Sequence, residues 1–358
     1  MGLAAVAGLA MAATLCLSGC ATLGYYWQSV TGHLGVMNAA KPVDDWVAAP
    51  ETPARLRDKL LLSQRIRDFA VRELKLPDNP SYRRYADLKR PAAVWNVTAA
   101  PPLSLELRTW CFPVTGCVGY RGYYDEAAAK AEAADLSAQG YEANTYPVPA
   151  YSTLGMMNWA GGDPLLNTFI QYPEGELARL LFHELAHQVV YVKNDTMFNE
   201  SFATAVERLG GALWLEQHMS PQARQEYAEF DGRRRQFREL SRRTRDRLKA
   251  AYETPGTEPG AKEEAKARIM AEFRAEYAQL RASWPGDPAR WRGYDRWVAN
   301  ANNAFFGTQA AYDELVPGFE ALFRQVGGDW ERFYAAARAL EQLPKPERHQ
   351  RLKEGMGG

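Results

Sequence analysis

Apolar residues recur with two different periods along this chain, and the change of period divides it into parts. Pro53 to Leu76 carries Leu56, Leu60, Leu61 and Ile66 at helical spacing and meets a breaker at Pro77. From Ala92 to Tyr124 the spacing is strand-like, through Val94, Trp95 and Val97, then Leu103 and Leu105, then Val118 and Tyr120. Asp125 opens an alanine-rich helix that Gly140 stops, and Tyr141 to Tyr151 returns to strand. Leu177 to Val192 (LARLLFHELAHQVVYV) is an apolar helical run without Pro or Gly. After Leu209 helices dominate: Pro221–Tyr252 and Ala261–Ser283 are long, charged and separated by the turn sequence TPGTEPG. The pattern predicts an α+β chain, with a mixed sheet and a helix on it before residue 170. From 171 to 358 it predicts a mostly helical part that carries an exposed helical hairpin. No internal repeat is visible.

Inside the uninterrupted run stands His183-Glu184-Leu185-Ala186-His187. On a helix, side chains four residues apart lie one turn above each other on one face, roughly 6 Å apart along the axis. The two imidazoles can therefore converge on one tetrahedral metal ion, with Glu184 one step round the helix to accept a proton from an attacking water. The bland alternative is a buried helix with two satisfied core histidines. A catalytic metal site wants a third protein ligand. The segment after His187 reads QVVYVK, without the Gly and His of the metzincin extension, and the remaining histidines are His33, His218 and His349. A carboxylate is the better candidate. Lys193–Thr196 is a polar turn that lets the chain double back, and Glu200 then falls in the first turn of a second helix, facing the histidines. Glu207 follows two turns later on the same face, where it could accept the second N–H of a ligating imidazole. The less favoured alternative for Glu200 is a carboxylate that a helix N-terminus attracts, and the alternative for Glu207 is a solvated face charge.

The first twenty residues are apolar and end in Leu17-Ser18-Gly19-Cys20, a bacterial lipobox. That predicts a signal peptide over 1–20, lipidation of Cys20, and a membrane-proximal lead with a short helix over 21–45. The departure from pattern is the lack of Lys or Arg before the apolar stretch. Ala21, rather than aspartate, after the lipidated cysteine favours the outer membrane, facing the periplasm. Cys111 and Cys117, six apart, are then expected to form a small disulfide loop, since a metal pair would want tighter spacing and a matching second pair. Lys+Arg and Asp+Glu balance at 43 each, so no global field attracts nucleic acid. The arginines at 233–235, 238, 242, 243, 245 and 247 have Glu and Asp interleaved and read as a solvated helix face.

HELAHQ followed by NESFATAVERLG resembles the gluzincin metallopeptidases. Long blocks between about residues 25 and 210, among them RIRDFAVRELKLPDNPSYRRYADLKRPAAVWNV and SLELRTWCFPVTGCVGYRGYYDE, resemble the bacterial predicted zinc aminopeptidase lipoproteins. The resemblance implies a zincin-like fold, one Zn²⁺ held by His183, His187 and Glu200, Glu184 as general base, and a peptide substrate. By the same resemblance Ala150-Tyr151-Ser152-Thr153-Leu154-Gly155 is a candidate edge strand pairing with substrate, an internal strand being the alternative. Tyr312, with Tyr294 and Tyr120 as rivals, is the candidate donor to the oxyanion. Asp163, Glu174 and Glu176 are candidates for holding a substrate amine. Two other readings stay open: an envelope endopeptidase of the same mechanism, and a non-catalytic zinc-binding lipoprotein.

Overall fold

The computed structural model describes residues 23–355 apart from Val114, Tyr151 and Asp287; the expected signal peptide and Cys20 lie outside them. Helix α1 covers residues 23–39, and β1 (Lys41–Pro42), α2 (Val43–Ala48) and α3 (Ala54–Arg72) follow. Strands β2 (Arg84–Ala86), β3 (Val94–Ala100), β4 (Trp110–Phe112), β5 (Gly116–Val118) and β6 (Arg121–Tyr123) precede α4 (Glu126–Ala138), β7 (Glu142–Val148) and β8 (Leu165–Leu166). The rest is helical: α5 (Glu174–Ala186), α6 (Thr196–His218), α7 (Pro221–Glu253), α8 (Pro259–Ala282), α9 (Arg292–Ala299), α10 (Asn303–Asp313), α11 (Val316–Gln325), α12 (Trp330–Glu341) and α13 (Lys345–Glu354). The α+β expectation stands at this level.

The sheet expectation is corrected in detail. Three small sheets replace one mixed sheet: β1-β2-β8, the antiparallel β6-β3-β7, and the β4-β5 hairpin. Pro101 and Pro102 end β3, because proline has no N–H for the ladder, and Leu103 and Leu105 instead pack against the hairpin helices. Cys111 and Cys117 pair in register across β4 and β5 and are joined by a disulfide. In its sheet β7 pairs with β3 alone and accepts Pro147 in register with Trp95, as an edge strand can. The predicted strand at 150–155 is not one: the described residues from Ser152 turn sharply, with φ of 57° at Leu154 and 77° at Gly155, and Tyr151 lies outside the described residues.

The motif helix is also shorter than its apolar composition suggests. It starts after Pro173 with Glu174 and Glu176 in its first turn, where acidic groups complement the helix dipole, and it ends at Ala186. Two features stop it. The run Val189, Val190, Val192 is β-branched, and Asn199 captures the backbone of Val192 from both sides, its Oδ1 accepting from the N–H and its Nδ2 donating to the carbonyl, each at 2.8 Å. Asn194 then takes a left-handed φ of 66°, and the Asp195 side chain caps α6 at Phe198 N–H. Asn199→Leu leaves both Val192 groups without partners. We expect a loss of about 1–3 kcal/mol in a denaturant titration; an unchanged midpoint would mean that water replaces the amide.

Helices α5 and α6 pack together in the largest apolar cluster, which draws residues from Val36 to Leu352. A second cluster lies under the charged hairpin. Phe237, Leu240 and Leu248 of α7 meet Met270, Phe273 and Tyr277 of α8, with Trp291 and Phe306 beneath. The hairpin is thus buried along one face rather than free, and its arginines meet carboxylates: Arg234 reaches Glu176, Arg242 Glu239 and Asp246, Arg247 Glu272 and Glu276.

Candidate metal centre

Helix α5 and the start of α6 bring three ligand atoms to one point. His183 Nε2 lies 3.2 Å from His187 Nε2, and Glu200 Oε2 lies 3.3 and 3.7 Å from the two. Donor atoms around a tetrahedral ion at ~2.0–2.1 Å stand about 3.3 Å apart, so the arrangement has the dimensions of a zinc site. All three residues are buried, and no other group of three His, Cys, Asp or Glu among the described residues shares this proximity. The early end of α5 matters here. His187 sits at the C-cap, its N–H still bonded to the His183 carbonyl, so helical geometry holds for the pair although the helix goes no further.

The rear of His183 is fixed by charge. Its Nδ1 lies 3.1 Å from Glu207 Oε2. Glu207 in turn pairs with Arg179, whose other nitrogen reaches Tyr227 Oη at 2.5 Å and Asp231 at 3.3 Å. Burial alone would raise the Glu207 carboxyl, but the Arg179 guanidinium and the His183 ring hold it down at about 2. An ionised carboxylate can only accept, so Nδ1 keeps its proton, and it is loss of the other ring proton that turns an Nε2 lone pair toward His187 and Glu200. Arg179 was missed in the sequence, although an arginine one turn before His183 on an apolar helix was a visible signal. Glu207→Gln keeps the shape and removes the charge. It should weaken metal binding about 10–100-fold in competition with a chromophoric chelator; an unaltered affinity would deny Glu207 its orienting part.

Field effects in the cluster favour a cation at the shared point. Burial opposes a charged His183 ring, but Glu200 and Glu207 outweigh it and push its pKa well above the ordinary value. His187 goes the other way, to about 4, through burial and the neighbouring His183, against the pull of Glu200. The Glu200 and Glu207 carboxylates thus favour positive charge at the point the two rings share. The His187 Nδ1 is buried with no protein partner. Glu184 is buried beside the cluster and its carboxyl is lifted to about 7, mainly by burial, with Glu200 adding to the shift and His183 opposing it.

A cavity of about 530 Å³ opens over these residues. Tyr312 borders it, its ring 6.4 Å from that of His183 and its hydroxyl bonded to Glu200. Tyr120 borders it too, and burial raises both phenols well above their usual value, so both are donors. The third candidate, Tyr294, is elsewhere, packed on Phe237 and Trp284 under the hairpin. Ser152 and Leu154 line the cavity from the sharp turn. Asp163 holds that turn from behind, accepting from Thr153 N–H at 3.0 Å and Ser152 Oγ at 3.3 Å. Glu174 accepts from Trp214 and Glu176 pairs with Arg234. None of these three acids borders the cavity, whose described carboxylates are Glu184 and Glu200. Its remaining wall joins Tyr25, Tyr26, Val94, Phe112 and Val118 with the polar Ser29, Asn96 and Thr115, and nothing in the sequence pattern had assigned α1 or the disulfide hairpin to the site. The hairpin is tied to the motif loop, where Asn194 Oδ1 accepts from Cys117 N–H at 2.7 Å.

An α+β chain with a buried cluster of two histidines and one glutamate is what fold and geometry define. Residues 24–352 match the family described as "Putative aminopeptidase", and the chain belongs to that family. The match continues past residue 210 through the charged hairpin to α13. No curated protein and no solved structure matches the chain.

Proposed function

We propose that the chain is a zinc-dependent peptide hydrolase of the gluzincin type, acting as an aminopeptidase and held by a lipidated Cys20 at the periplasmic face of a bacterial envelope membrane. The observation that carries the reading is the triangle of His183, His187 and Glu200 donor atoms at tetrahedral spacing, with Glu184 beside it in a cavity. Two imidazoles and one carboxylate suit zinc, and family membership supports a peptide substrate. Zn²⁺ held there supplies Lewis acidity toward a carbonyl and lowers the pKa of water toward ~7. The chain's own residues do the rest. Glu184 accepts the proton of the attacking water and passes it to the leaving amine. Tyr312 or Tyr120 donates a hydrogen bond from its hydroxyl to the oxygen on which negative charge develops. Glu207 and Arg179 keep the His183 ring in register.

The endopeptidase reading is favoured by one observation, that Asp163, Glu174 and Glu176 are engaged away from the cavity. Aminoacyl-naphthylamides and their N-blocked counterparts, given to the full chain with defined zinc content, separate the two. Release from free-amine substrates alone is expected. Cleavage of blocked substrates would move the reading to endopeptidase, and silence on both with zinc bound would revive a non-catalytic role.

A further inference from the structure

The outer face of α1 is the reverse of what water selects. Leu23 and Trp27 expose 72% and 71% of their surface, and Val30 and Leu34 continue the same stripe at helical spacing, with Tyr26 beside it. The inner face buries Val36 and Met37 and also carries polar contacts. Gln28 accepts from Tyr124 N–H at 3.0 Å and donates to the Gly122 carbonyl, and Ser29 borders the cavity with Tyr25. Gly32 lies flat on the Tyr124 ring, where a Cβ would stand 2.2 Å from the ring carbon, so the helix is seated on the sheet with its apolar stripe outward by construction. No Asp, Glu, Lys or Arg occurs from Leu23 to Ala39. Two further large exposed apolar groups follow the cavity-lining residue Leu154 in the chain: Met156, and Trp159 with 83% of its surface exposed. Arg84 ties the two segments together, donating to the Met37 and Ala40 carbonyls at the end of α1 and to the Ala160 carbonyl beside Trp159.

We propose that this surface docks on a lipid bilayer: α1 lies in the interface with Leu23, Trp27, Val30 and Leu34 among the acyl chains, and Trp159 and Met156 enter beside it. A stripe of aliphatic residues with Trp and Tyr and no charge fits the headgroup–acyl boundary. No described helix is long and apolar enough to cross a membrane. Chain length places it there: Leu23 is three residues after Cys20, within about 10 Å of extended chain, so acyl groups on that cysteine deliver the stripe to the surface. Because Tyr25, Tyr26 and Ser29 of α1 also wall the cavity, docking puts the cavity mouth at the lipid surface. The proposal uses the Cys20 anchor but not the peptidase reading.

The test uses the full chain, processed in a bacterial host and reconstituted in phosphatidylethanolamine–phosphatidylglycerol vesicles. Nitroxide labels are placed by Trp27→Cys, Leu34→Cys and Trp159→Cys, with Lys249→Cys on the remote hairpin as reference. We expect collisions with oxygen to rise and collisions with a water-soluble nickel chelate to fall about tenfold at the first three positions relative to the reference. Labels as wet as that at Lys249→Cys overturn the proposal. So do labels shielded from both probes, which would assign the stripe to a second copy or another protein. Intact mass reports separately whether Cys20 is acylated. If it is not, the wild-type chain should still float with vesicles and the Trp27→Ala/Leu34→Ala chain should bind about tenfold more weakly or worse; equal flotation, or none by either, overturns the proposal.

Discussion

Glu184→Gln is expected to lower peptide hydrolysis by about 10²–10⁴-fold while the protein takes up zinc as before. The glutamine keeps the size and buried position of a side chain that points into the cavity but is not one of the three clustered donors. It can neither accept the proton of the attacking water nor return it to the leaving amine. The loss should fall on kcat, because the interaction is needed in the transition state rather than in substrate binding. Metal content and turnover are measured on the same preparation. A variant with full zinc and wild-type turnover would remove Glu184 from the reaction, whereas one that loses zinc as well would move it into the ligand set.

The second large effect is on stability. Arg179 is buried and makes the ion pairs that hold Glu207 and Asp231. Arg179→Met leaves the Glu207 carboxylate buried without its strongest partner, and breaking a buried pair from one side costs about 3–5 kcal/mol. The double variant Arg179→Met/Glu207→Leu removes both charges and should recover most of that loss, since matched apolar replacements of buried pairs are often neutral. Denaturant titrations of the two variants decide it. A single variant within about 1 kcal/mol of wild type would mean that the His183 ring and water satisfy Glu207 without the guanidinium.

How far the chain could be read beforehand differed between its local and its long-range features. The alanine-rich helix capped by Asp125 and the hairpin broken by TPGTEPG rest on residues that are neighbours in sequence, and each appears within a few residues of its expected bounds. The early end of α5 at Ala186 depends on Asn199, seven residues past the affected backbone in another helix, which periodicity cannot register. The sheet was misjudged for the same reason. Alternating apolar residues from Ala92 to Tyr124 fit strands, but which strands pair is settled by Pro101, Pro102 and by contacts across the fold. At the site, the spacing of His183 and His187 and the position of Glu200 were legible because helix geometry alone brings side chains onto one face. The choice among Tyr312, Tyr120 and Tyr294 was not, since those residues reach the cavity, or fail to, through tertiary packing. Likewise the cavity wall from α1 and the β4-β5 hairpin joins residues more than 150 positions from the motif with others about 70 away.

The most direct test is a zinc titration of the metal-depleted full chain, with heat of binding and hydrolysis of a free-amine substrate followed together. The account predicts one tight site, with activity rising in proportion to occupancy and reaching its plateau at one ion per chain, and no such site when His187→Ala is titrated. Hydrolysis by the metal-free protein, or a filled site that depends on His187 and supports no turnover of any peptide, would contradict it.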